Sequence, residues 1–386
     1  MKTAFINANI YNTEKKTFES GTLYTDNGII CAPCEADETV DCGGAYMIPG
    51  LVDVHTHGRV GIDSNSADAD TVCELAKSYA KAGTTSFMTT FGSAPYDWYP
   101  RAIDNIVEAN SRQHKSVYGA NIIGIHLEGR YICMKRKGAH TPENLAPLDP
   151  DELAGFVERM RSGDSKLHRF HTICAPELEG SDEFIKRAVE MGVTVGIGHS
   201  DATLEQCQHA MELGARSFVH LYNAMSPMTH RAPGCVGAGL SSDAYTELIC
   251  DGYHVDPAVV KITYRAKSAD RLVLITDSIT AAGLEPGIYT VSGAYCDTRN
   301  GKTGLCRDGV TINGSIIDLF TGMKNFMKFT GITLEEAIPY ATINPARMVC
   351  ADSEVGSLEI GKNADFILLN DDKTSIKRVY VKATAI

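Results

Sequence analysis

Eight short apolar runs, spread through residues 51–278 and separated by segments of helical periodicity, restrict this chain's fold more than any other feature. They are LVDVHTH (51–57), TTSFMTT (84–90), IIGIHLEG (122–129), FHTICAP (170–176), VTVGIGHS (193–200), SFVHLYNAM (217–225), YTELICDG (245–252) and RLVLITDS (271–278). All are rich in β-branched and apolar residues, the pattern of strands buried on both faces of a parallel sheet. Between them, ADADTVCELAKSYAKAG (67–83) spaces its apolar residues as a helix does and ends on Gly83, a suitable stop. Asp182 to Met191 repeats the pattern, with Gly192 behind it. Such strand–helix units in succession predict an α/β fold, a (β/α)8 barrel of the TIM type over residues 51–348.

Residues 1–50 and 349–386 read differently, as strands and turns: AFINANIY, GTLYTDNGII and AYMIPG early, GSLEIGKNADFILLN and RVYVKATAI late. Neither piece is large enough to bury a core of its own. The expectation is one small β-sandwich domain assembled from both termini beside the barrel.

The polar residues that close the strands carry the functional signal. His55 and His57 are two apart on a strand, so they share a face at the strand's C-terminal end, where barrel active sites are built. By the same alternation Asp53 is expected one layer deeper, as an acceptor that orients a histidine. A lone His-x-His is as compatible with satisfied core histidines as with a ligand pair. Other strands, however, end in His126-Leu127-Glu128-Gly129, in Gly198-His199-Ser200 and in Asp277, and the sixth carries His220. Polar groups converging on one barrel mouth are costly unless something satisfies them all. A divalent metal does so: neutral imidazoles with carboxylates are the ordinary ligands of catalytic zinc, with iron and manganese as competitors.

Other chemistries find less support. Cys31 and Cys34 form a Cys-x-x-Cys without a second pair at zinc-finger spacing, and the other cysteines are scattered as reduced core residues are. There is no Gly-x-Ser-x-Gly elbow, no phosphate-binding Gly-x-x-x-x-Gly-Lys-Ser/Thr and no strand–GxGxxG–helix unit. The 48 acidic against 36 basic side chains, a net charge of −12, disfavour nucleic acid and anionic lipid as partners. No apolar run reaches the ~18 residues that span a bilayer. The opening MKTAFINANIYNTEKK has no secretory signature, so a cytoplasmic protein is expected.

On these motifs the sequence resembles the amidohydrolase superfamily and, within it, the N-acetylglucosamine-6-phosphate deacetylases. PGLVDVHTHG (49–58), HLEG (126–129), KGAH (137–140), GHSDAT (198–203), VHLYNAM (219–225), DGYHV (251–255) and ITDSI (275–279) follow the family's order nearly end to end. The resemblance implies the barrel and split β domain, a homodimer, and release of acetate from N-acetylglucosamine 6-phosphate. N-acetylgalactosamine 6-phosphate or another N-acyl substrate is the alternative, and a non-catalytic barrel homologue a more distant one. It implies Glu128, His199 and His220 as ligands of one metal, and His55 and His57 as the pair that holds a second ion in some members. Asp277 matches the catalytic aspartate and His140 the residue that polarises the scissile carbonyl. Ala139, Asn223, Ala224, Arg231, His254, Ile312 and Asn313 match substrate contacts, with Arg231 and His254 at a phosphate completed across the dimer interface.

Two departures stand out. Arg130 occupies the place of the proline that usually follows HLEG, which would have fixed the backbone there, and TINGS (311–315) replaces an LAGS-like stretch. The fourth run, FHTICAPE, has no lysine, so the carboxylated lysine of dihydroorotase- and urease-like relatives is absent from it and Glu128 takes its place.

Overall fold

Eight parallel strands, Leu51–Thr56, Thr84–Phe91, Asn121–Leu127, Phe170–Cys174, Thr194–Ile197, Ser217–Phe218, Tyr245–Ile249 and Leu272–Ile275, pair with their neighbours in chain order to make the barrel wall. The wall closes between the eighth and first strands, where the Asp277 N–H donates to the His55 carbonyl at 2.9 Å and Thr56 bridges Ser278. The computed structural model describes residues 1–113, 115–163, 165–291 and 293–386.

The first barrel helix, Ala69–Lys81, shows why the intervening segments coil. Asp68 caps it by accepting the Thr71 N–H at 2.8 Å. Val72, Leu75, Ala76 and Tyr79, at spacings of three and four, bury one face against the wall. Gly83, at φ +91°, turns the chain back toward the second strand, as its place in the sequence predicts.

Several strands stop short of the apolar runs that mark them. The fifth, sixth and eighth end at Ile197, Phe218 and Ile275, whereas the runs continue to Ser200, Met225 and Ser278. Just beyond these ends His199, His220, Tyr222, Ala224 and Asp277 have φ of +46°, +34°, +82°, +51° and +49°. An L-residue in that region cannot continue a strand. The chain therefore bends at the very residues that the motifs single out.

The terminal segments form one sheet, in the order Thr384–Ala385, Ile376–Val381, Phe366–Leu369, Tyr46–Pro49, Lys2–Asn12, Thr17–Asp26, Ile29–Cys31, with Glu38–Asp41 also paired to Lys2–Asn12. The two ends of the chain meet where Phe366–Leu369 runs antiparallel to Tyr46–Pro49. Phe5, Phe366 and Tyr380 stack at the centre of this sheet's own core. Ile48, Ile367, Leu369 and Val379 pack instead with barrel residues Leu51, Leu248 and Phe326. A third sheet, Ile288–Val291, Ala294–Asp297, Thr303–Leu305 and Ile312–Ser315, is inserted after the eighth strand. It joins the barrel beside Asp277, whose carbonyl accepts the Ser315 N–H at 2.8 Å. Among the described residues no helix is long and apolar enough to cross a membrane.

Asp365 ties the terminal sheet to the barrel floor, accepting from Asn121 Nδ2 at 2.8 Å and from the Lys382 N–H at 2.7 Å. Burial pushes its carboxyl up to about 7, against ~3.9 in an unfolded chain. A raised folded value contributes stability that is complete below about pH 4 and is lost as the pH climbs toward 7. Melting temperatures measured from pH 4.5 to 8 should therefore decline, and Asp365→Asn should flatten the decline. Asp53, also pushed up to about 7 by burial, leaves a residual slope of the same sign. An unchanged slope in the variant would refute the assignment.

Candidate active site and metal centre

Glu128, directly after the third strand, lies at the centre of the barrel mouth. Its Oε1 is 2.9 Å from His220 Nε2, 3.3 Å from His199 Nε2 and 3.4 Å from His55 Nε2. Its Oε2 is 3.1 Å from His57 Nε2 and 3.6 Å from His140 Nε2. His199 and His220 present their Nε2 atoms to each other at 3.1 Å. Asp277 Oδ1 lies 3.2 Å from His57 Nε2 and 3.5 Å from His55 Nε2. Residues far apart in the sequence, at the ends of different strands, thus meet at one point.

Tautomers decide what can occupy this cluster. His199 Nδ1 faces the Arg136 carbonyl at 2.8 Å, so it carries the ring proton and Nε2 keeps a bare lone pair. His55 Nδ1 faces Glu247 Oε2 at 3.0 Å, which leaves His55 Nε2 bare in the same way. Both Nε2 atoms point at carboxylate oxygens, contacts that require either a second ring proton or a cation between the two groups. Donor atoms on a tetrahedral metal at ~2.0–2.2 Å lie about 3.3–3.6 Å apart. The separations within Glu128, His199 and His220 are 2.9–3.3 Å, close to that edge length. His55, His57 and Asp277 form a second group of converging ligand atoms.

Glu128, His140 and His199 also lie close enough to share an ion. His140, however, accepts the Ser93 N–H on Nδ1 at 3.2 Å, which puts its proton on Nε2, the atom that faces the cluster. His220 therefore suits the ligand position better, and His140 suits a donor's. Burial lowers His140 to about 3, so the ring is neutral. Burial opposes ionisation of Asp277, yet the hydrogen bond from His57 holds its carboxyl below the usual range. The mouth thus pairs an ionised carboxylate with a neutral imidazole donor.

A cavity of about 390 Å³ opens above the cluster, within the ~300–1,000 Å³ range of small-molecule sites. Ala139, His140, Asn223, Ala224, His254, Ile312 and Asn313 all line it. His254 is anchored by Asp251, Nδ1 to Oδ2 at 2.6 Å. Arg231 is not among the lining residues. Thr229 and Ala232 close a tight turn, N–H to carbonyl at 2.9 Å, that leaves Arg231 at its tip in solvent. Lys135 and Arg136, which the sequence did not mark, line the wall, both paired with Asp201.

Two expectations about local structure change. Asp53 accepts from the Thr276 hydroxyl at 2.6 Å, across the seam between the first and eighth strands, and so does not orient a histidine ring. Pairing of the first strand with the second shifts register between Asp53 and Thr56, which breaks the alternation that placed Asp53 beneath His55. The histidine-orienting carboxylate is Glu247, whose only sequence signal was a charge inside the apolar strand YTELI. Arg130, standing in place of proline, binds both oxygens of Glu152 at 2.5 and 2.9 Å and lies over Tyr96 and Tyr99, so a half-buried ion pair restrains the loop. In TINGS, Gly314 passes so close to Asp277 that a Cβ would meet the Asp277 carbonyl oxygen at 2.8 Å.

The fold and the converging donors define a divalent-metal-dependent barrel enzyme, with its chemistry at the C-terminal mouth. A family model described as the amidohydrolase family matches residues 46–386. An N-acetylglucosamine-6-phosphate deacetylase of Danio rerio is 34% identical across 98% of this chain and 95% of its own length. An N-acetylgalactosamine-6-phosphate deacetylase of Escherichia coli O157:H7 is 33% identical across 96% of each. The crystal structure of the N-acetylglucosamine-6-phosphate deacetylase of Pasteurella multocida superposes over 100% of both chains, with a TM-score of 0.89 at 29% identity. The chain belongs to the amidohydrolase family.

Since bare lone pairs and carboxylates face one another at its centre, the protein should lose stability when its metal is removed. After dialysis against a chelator the melting temperature should fall by several degrees, and stoichiometric divalent ion should restore it. Identical melting curves before and after would exclude a metal at this cluster.

Proposed function

We propose that this protein hydrolyses N-acetylglucosamine 6-phosphate to glucosamine 6-phosphate and acetate, using zinc as its preferred ion, with iron(II) or manganese(II) as substitutes. The observation that carries this reading is the meeting at one mouth of ionised Asp277, 3.2 Å from His57 Nε2, and neutral His140, 3.6 Å from Glu128 Oε2, beside the ligand cluster. Near end-to-end similarity to deacetylases of phosphorylated amino sugars supplies the substrate class.

Glu128, His199 and His220 would hold the first ion, and His55 and His57 a second. When bound, the metal supplies positive charge beside the acetamide oxygen and brings a water's pKa toward neutrality. Asp277 accepts a proton from that water as its oxygen adds to the acetamide carbon. The His140 Nε2–H donates to the oxygen on which negative charge develops. Asp277 then returns the proton to the nitrogen, the C–N bond breaks, and acetate and the free amine leave.

On the cavity wall His254 takes the phosphate. Arg231, exposed on its turn in one chain, completes that site in a homodimer, where a neighbouring subunit brings the turn and the cavity together. Asn223, Ala224, Ala139, Ile312 and Asn313 hold the sugar. The twelve cysteines, all free thiols, suit a reducing compartment, and we place the enzyme in the cytoplasm. The galacto epimer is the second reading, favoured by a relative that is 33% identical to this chain.

Parallel assays of the two 6-phosphosugars on zinc-loaded protein should give the higher kcat/KM with the gluco epimer; the reverse order would select the second reading. Asp277→Asn should keep its metal content and lose about 10²–10⁴ in kcat, and near-normal turnover would remove Asp277 from proton transfer. Arg231→Ala should raise KM for the phosphorylated substrate and leave an unphosphorylated N-acetyl sugar unaffected. Equal losses on both would take Arg231 out of the phosphate site.

A further inference from the structure

Glu247 is fully buried in the seventh strand, with no exposed side-chain surface. A single oxygen, Oε2, accepts from two groups: His55 Nδ1 at 3.0 Å and the backbone N–H of His220 at 3.2 Å. Its backbone carbonyl accepts the next N–H, that of Leu221, at 2.9 Å. The other carboxylate oxygen, Oε1, is buried with no partner in the protein. One residue thus clasps two histidines that belong to different halves of the centre, one on the first strand and one beyond the sixth.

Both contacts have chemical consequences. The bond to His55 holds the ring proton on Nδ1, so Nε2 faces Glu128 and Asp277 as a lone pair. The bond to His220 satisfies an N–H on a residue at φ +34°, where the sixth strand has ended and no ladder partner remains. A carboxylate in a dry barrel interior is destabilising unless it is strongly paired, and the pairs it makes here are with two candidate ligand residues.

We propose that Glu247 is a positioning residue that couples the two halves of the metal centre. It makes His55 a competent ligand for the ion held with His57, and it fixes the bend that aims His220. This rests on the metal-dependent reading above, but it concerns the second ion and so can fail by itself.

Two substitutions separate the proposal from a purely structural role. In Glu247→Gln the amide oxygen can still accept both hydrogen bonds, while its nitrogen takes the place of the unpartnered Oε1; only the charge is lost. Glu247→Leu keeps similar bulk and accepts neither bond. Apo protein is titrated with zinc chloride by calorimetry, and metal content is measured after dialysis. Wild type should take two ions per chain. Glu247→Gln should also take two, with the weaker-bound one loosened about 10–100-fold, and Glu247→Leu only one. His57→Asn should lose the same ion, and adding Glu247→Leu to it should cause no further loss. Wild-type affinity for both ions in either Glu247 variant overturns the proposal, as does loss of both ions by a folded Glu247→Gln protein. Should Glu247→Leu not fold, Glu247→Gln decides alone. One ion in an active wild type refutes this inference and spares the hydrolase; no ion at all refutes the hydrolase itself.

Discussion

The arrangement that the rest of the structure serves is the convergence of imidazole lone pairs on the two oxygens of Glu128. Without a metal ion the cluster holds together only by protonating its histidines, and the backbone that creates it is strained as well. His199, His220, Tyr222, Ala224 and Asp277 all sit at positive φ. At roughly 1–2 kcal/mol each, these five residues together cost an amount comparable to the net stability of many domains. Strain of that size persists only where the surroundings over-determine the geometry.

The surroundings do so with short, mostly buried bonds. The Arg136 carbonyl fixes His199, Ser93 fixes His140, and Glu247 fixes both His55 and the His220 backbone. The Thr56 hydroxyl bonds Ser278 at 2.7 Å across the seam between the first and eighth strands, beside Asp277, and Tyr79 of the first helix at 2.6 Å. Arg130 and Glu152 hold the start of the loop that carries Arg136 and His140. The terminal sheet contributes at a distance: its Asp365 bonds Asn121 at the foot of the third strand, whose other end presents Glu128. The site is therefore a property of the whole ring and not of one loop.

Much of this was legible in the sequence because parallel barrel strands are long apolar runs and because their C-terminal ends carry the polar exceptions. Eight runs mapped onto eight strands, and Glu128, His199, His220, His55, His57, Asp277 and His140 met at one place. What escaped has physical causes. Apolar content does not report backbone handedness, so His220 and the residues around it read as strand although the chain turns left-handed there. Period-two alternation fails at a register shift, which sent Asp53 to the seam. Glu247 lay inside an apolar run, where a charge signals a buried partner but does not name it. Arg231 was placed at the phosphate by resemblance, and no local pattern reveals that its turn faces solvent in a single chain.

Charge gives the last link between composition and the proposed substrate. A chain of net charge −12 repels a phosphorylated sugar at long range, yet salt confines that repulsion to about 8 Å under physiological conditions. Inside that distance only the cavity wall matters. There Lys135 and Arg136 share a single carboxylate, Asp201, which leaves the group with one net positive charge. His254, held by Asp251, adds a ring hydrogen-bonding atom without requiring a charge. Lys135, Arg136 and His254 thus give an anionic ligand positive and polar contacts on the wall of the same cavity that holds Glu128 and Asp277.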